Sequence, residues 1–153
     1  MKKLICLAGV GVLFVSFVLA GCAALQVQKT PLTTSNLPAL QGRWEGWTTF
    51  SSFQANPVLT IMEINNAAVP VQGKLTLNNL PAPVAALFPA DAKTAGNNVI
   101  INFSNGKISD QGNLIGSTGE NFGEFTYYAG EKPRLDGWFY YWGTRGTITV
   151  NKK

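Results

Sequence analysis

The sequence contains no histidine and only two cysteines among 153 residues, and charged side chains make up 13 % of it. Each shortage closes off some chemistry. Without an imidazole base, Ser-His and Cys-His nucleophile systems are excluded, and transition metals lose their commonest ligand. The few charges form no basic run or stripe, which argues against nucleic acid as a partner. No segment of the chain that follows the opening apolar run sustains an apolar 3.6-residue period beyond two turns, so a helical domain is excluded as well.

What is present begins at the amino end. Lys2 and Lys3 precede an apolar run from Leu4 to Ala20, and small residues follow. A positive n-region, an h-region and a small-residue break read as a bacterial export signal. Seventeen positions is at the short end for a permanent transmembrane helix, and Ala20 and Gly21 favour cleavage.

Leu19-Ala20-Gly21-Cys22 resembles a lipobox, the site at which bacterial lipoproteins are cleaved and acylated. The resemblance implies that Cys22 becomes the first mature residue and carries the acyl chains. Residues 1–21 are then the signal peptide, 22–39 the lipidated N-terminus and a flexible tether, and 40–153 the folded domain. Cys6 leaves with the signal, so that domain has no free thiol and no disulfide. In such lipoproteins an aspartate after the cysteine tends to retain the protein at the inner membrane. Ala23 stands there instead, which implies a cell-envelope protein at the outer membrane, facing the periplasm. The formal charge of +4 includes Lys2 and Lys3; without them ten bases oppose eight acids, a net +2.

From Leu40 onward, short segments rich in β-branched and aromatic residues follow one another. Strands are expected at Arg43–Phe53, Val58–Ile64, Val69–Leu77, Val99–Phe103, Leu114–Thr118, Phe122–Tyr128, Leu135–Trp142 and Thr147–Val150. Turn chemistry separates them at Asn65-Asn66, Asn105-Gly106, residues 110–113, 130–133 and 143–146. A glycine two places after an inward apolar residue recurs at Gly73, Gly116 and Gly137, and such glycines let a strand bend as a sheet closes. The expected fold is all-β: a small antiparallel up-and-down β-barrel of about eight strands. Gly42-Arg43-Trp44 is similar to the Gly-x-Trp that opens lipocalins, and to the start of avidin-like barrels. That resemblance covers one strand and the general rhythm, and no other lipocalin or avidin motif is recognisable. One apolar, proline-bounded segment, Leu80–Pro89, breaks the rhythm. It is expected to form about one helical turn across a barrel end, as a plug for the core or a lid over a ligand mouth.

Carboxylates are the remaining catalytic candidates. Glu45, Glu63, Glu124 and Asp136 alternate with apolar neighbours on strands, which assigns them to the wet outer face with Arg43, Arg134 and Arg145 as partners. Asp110, Glu120 and Glu131 sit beside turns. No acid–base constellation emerges, so no catalytic residue, metal site or cofactor is expected.

Of seventeen aromatics, Phe14 and Phe17 leave with the signal, and thirteen of the other fifteen fall within residues 44–53 and 122–142. A closed barrel brings its first and last strands together, so one wall becomes aromatic. Strand alternation then splits that wall. Trp44, Phe50, Phe125, Tyr127, Phe139 and Tyr141 share the parity of Leu135 and face inward. Trp47, Trp138, Tyr140 and Trp142 share the parity of Arg134 and Asp136 and face outward. Two roles are expected to compete. In one, Trp44, Phe50, Tyr127, Phe139 and Tyr141 line a cavity for a small apolar ligand, as in lipocalins, rather than simply filling the core as large side chains often do in eight-stranded barrels. In the other, Trp47, Trp138, Tyr140 and Trp142 dock a protein or glycan partner in the envelope.

Overall fold

The computed structural model describes residues 28–51, 56–118 and 121–153. The export signal, Cys22, the start of the tether, Phe53 and Glu120 lie outside the described residues.

Nine strands make one antiparallel sheet: β1 (Gly42–Phe50), β2 (Val58–Asn66), β3 (Val71–Leu77), β4 (Lys93–Thr94), β5 (Asn98–Ile108), β6 (Leu114–Thr118), β7 (Asn121–Tyr128), β8 (Arg134–Tyr141) and β9 (Thr144–Lys152). Their order is β3-β2-β1-β9-β8-β7-β6-β5-β4, and β3 also pairs with β5. The sheet therefore closes into an eight-strand up-and-down barrel, with the two-residue β4 paired to the start of β5. The cause is visible in the side chains. Along β3 and β9 every second residue is buried, so the apolar set can be hidden only by curling the sheet around it.

The two barrel ends are closed by different devices. At the base, where β1 starts and β9 finishes, residues 30–40 lie across the opening. Thr30 N–H donates to the Tyr127 carbonyl (2.8 Å), Leu32 N–H donates to the Gly112 carbonyl (2.9 Å), and Leu32, Leu37 and Leu40 are buried. This corrects the expectation of a flexible tether through residue 39. Three leucines spaced unevenly in a polar stretch give no periodic signal, yet each finds an apolar hole at the barrel mouth. At the rim, the short helix α1 (Ala82–Ala85) and the residues around it act as the plug: Leu80, Val84, Ala85 and Phe88 are all buried. Phe88 stacks on Tyr141 with ring centroids 6.1 Å apart and meets Phe50 edge-on at 6.4 Å.

Two turn expectations need correction. Asn105-Gly106 is not a turn; β5 runs straight through it for eleven residues. Gly106 faces Val71 across a register shift between β3 and β5, and a Cβ there would come within 2.8 Å of the Val71 side chain. The glycine serves close approach of two strands rather than reversal of the chain. The last hairpin turns on Trp142-Gly143, not on residues 143–146, because Tyr141 already pairs with Thr144.

Candidate functional site

The aromatic wall forms where β1, β9, β8 and β7 adjoin. Its inner side is packed. Trp44, Phe50, Phe125, Tyr127 and Phe139 are at most 5 % exposed, and Tyr141 is half-buried against them. Trp44 donates its indole N–H to the Leu40 carbonyl (2.8 Å) and meets Tyr127 edge-on at 6.3 Å. Phe50 meets Phe139 at 6.2 Å and 90°. The gap these rings leave towards the rim, lined by residues such as Ile101, Phe103, Phe125 and Phe139, is about 30 Å³. That is room for roughly one water, whereas small-molecule pockets run to about 300–1,000 Å³.

The outer side carries the other parity. Trp47, Tyr140 and Trp142 are 55 %, 39 % and 62 % exposed. Trp138 is half-buried, with the Arg145 guanidinium 4.7 Å from its ring centroid. Arg145 thus covers an indole, and among the described residues it pairs with no carboxylate. The other two arginines do pair: Arg43 with Glu45 and Arg134 with Asp136, both at 2.8 Å. Lys153 joins Glu45 at 3.0 Å. Its hydrogen bond, followed by that of Arg43, holds the Glu45 carboxyl below the usual carboxylate range. The exposure of the pair keeps its contribution to stability small. Glu124 accepts a hydrogen bond from Asn113 Nδ2 (2.6 Å). The strand carboxylates are thus engaged in the surface network.

Trp142 has φ +48°, a left-handed conformation that bulky side chains rarely adopt. It occupies the first corner of a two-residue hairpin turn, where asparagine or glycine is the usual choice. An exposed tryptophan held in a disfavoured backbone state is the kind of local cost that clusters at functional positions. Nothing in the pattern of alternating aromatics signals it, because the parity of β8 simply runs on into the turn.

Register places further residues beside Trp47. It lies opposite Leu59 of β2 and Thr149 of β9, while Thr49 lies opposite Thr147. Thr147 in turn lies opposite Trp138 of β8. Leu59 is 41 % exposed. Together Trp47, Thr49, Pro57, Thr147 and Thr149 line a surface groove of about 420 Å³. The sequence reading missed it, although Thr147 and Thr149 alternate visibly on one strand.

Among the described residues, no three histidine, cysteine, aspartate or glutamate side chains gather as metal ligands. No helix among them is long and apolar enough to cross a membrane. No protein-family model matches the chain, and comparisons with curated proteins and with solved structures find no match either.

Proposed function

We propose that this is a lipid-anchored envelope protein that works by binding rather than catalysis, docking a protein or glycan partner on the outer aromatic wall of its barrel. The observation that carries the reading is the contrast across that wall. Three large aromatics, Trp47, Tyr140 and Trp142, stay open to solvent while their neighbours fill the interior. Exposed aromatics gathered on one face are the usual anchors of an interface. The alternative, a carrier of a small apolar ligand, draws no support from an interior gap of about 30 Å³.

Anchoring through Cys22 rests on the lipobox. Six Cα-to-Cα steps, through five intervening residues, separate Cys22 from Gln28 beside the base. Fully extended, they reach at most about 21 Å. On this reading the base faces the membrane and Trp142, at the rim, faces away from it. Stable anchoring requires at least two acyl chains, each buried methylene contributing about 0.8 kcal/mol, and a diacylglyceryl cysteine supplies them.

Two experiments test the proposal. Cys22→Ser should accumulate a precursor that retains Met1–Gly21; normal trimming and release would refute the anchor. Trp138→Ala with Trp142→Ala, in the full chain, should leave the melting temperature nearly unchanged and abolish co-purification of the envelope partner. Unfolding of the double variant would return these residues to the core and remove the basis of the interface.

A further inference from the structure

We infer that the groove between Trp47 and the threonines of β1 and β9 is a binding site for a neutral saccharide chain. The inference rests on the proposed function and commits it to one chemistry at one place. The volume, about 420 Å³, lies within the range of small-molecule sites.

Its walls are of two kinds. Trp47 supplies an exposed indole whose face is electron-rich and attracts the partly positive C–H groups that a sugar ring presents on its flat side. Thr49, Thr147 and Thr149 supply a floor of hydroxyls, each both donor and acceptor. The sheet fixes their spacing: about 6.8 Å between Thr147 and Thr149 along the strand, and about 4.8 Å from Thr147 across to Thr49. A sugar offers the matching pattern, an apolar face edged by hydroxyls that also donate and accept.

Charge narrows the choice of ligand. None of the described residues lining the groove is ionisable. Of the charged side chains beside it in the sheet, Asp136, opposite Thr149, pairs with Arg134; Glu45, two places before Trp47, pairs with Arg43 and Lys153; and Arg145, two places before Thr147, lies over Trp138. No lining residue supplies a counter-charge for a phosphate, a sulfated chain or an acidic peptide, whereas an uncharged polyol needs none. The groove lies on the outer sheet face and is open to solvent, which suits a chain rather than a single enclosed ring.

The test is calorimetric titration of the full-length protein, purified in a detergent without a sugar headgroup, with cellohexaose, chitohexaose and maltohexaose as neutral probes and a heparin hexasaccharide as the charged one. Saturable binding of at least one neutral probe is expected. Trp47→Ala should weaken it at least tenfold and the isosteric Thr149→Val several-fold, with circular dichroism unchanged in both. Absence of saturable binding to all three neutral probes overturns the inference. So does binding indifferent to Trp47→Ala, or equal binding of the heparin fragment. If the saccharides fail while a protein partner still co-purifies through Trp138 and Trp142, the groove inference falls alone and the proposed function stands.

Discussion

Trp44 and Trp47 stand three residues apart on one strand and live in different worlds. Trp44 is fully buried, its N–H bonded to the Leu40 carbonyl, its ring edge-on to Tyr127 and flanked by Lys152 at 5.6 Å. Trp47 is more than half exposed and lines an open groove. Residue type does not separate them; an odd offset on a strand does. The same division runs through β8, where Phe139 is buried and Tyr140 is not. An aromatic count therefore says little about function until each ring is assigned a side of the sheet.

The comparison can be broken by mutation. Trp44→Ala should cost about 3–5 kcal/mol in denaturant unfolding, since it deletes a core ring and leaves a cavity. A loss below 1 kcal/mol would mean the inner wall is loosely filled. Gly137→Val comes next, at about 1–3 kcal/mol. A Cβ at that position collides with the Glu124 carbonyl oxygen and lies 2.6 Å from the Phe125 ring, at the seam between inner and outer rows. An unchanged melting temperature would remove the bend glycine from the account of closure. Trp142→Gly should stabilise the last hairpin by up to about 1 kcal/mol, because glycine accepts positive φ without strain. Loss of stability would show that the indole has a packing role. Trp47→Ala should shift stability by no more than about 0.5 kcal/mol, the surface counterpart of the first variant.

The smallest effect is electrostatic. Burial, and then the Asp91 carboxylate, raise the Tyr141 phenol above its usual value, and a hydrogen bond from Trp142 opposes them. With the folded value above the unfolded one, the neutral phenol costs nothing below the ordinary tyrosine range. Stability is then lost as pH rises from that range through the raised folded value. Tyr141→Phe should flatten that alkaline limb in melting temperatures measured between pH 9 and about 11. An identical slope in both proteins would exclude the contribution.

Much of this was legible in the sequence, and the reasons are physical. Eight strands and barrel closure followed from period-two patterning with turn residues between runs, and the sides of the β8 aromatics followed from the parity of Leu135 on one hand and of Arg134 and Asp136 on the other. Asn105-Gly106 misled because glycine that permits strand contact is indistinguishable, in one dimension, from glycine that reverses the chain. Leu32 and Leu37 were unreadable because their burial depends on a hole formed by strands far along the chain. The groove was unreadable for a related reason: Thr49 and Thr147 become neighbours only when β1 meets β9. Long-range pairing creates sites that local pattern cannot announce.

The segment laid across the base has a mechanical consequence. A pull on the chain before Gln28 meets the Lys29–Tyr128 bridge first, then the Leu32 amide, then the leucines seated in the mouth. These contacts yield one after another, as a zip opens. Strand β1, held along its length by β2 on one side and β9 on the other, must instead be sheared from many hydrogen bonds at once. For a protein tethered at that end, about a dozen residues of chain would pay out before the barrel bears load, a slack line between a fixed point and a rigid head.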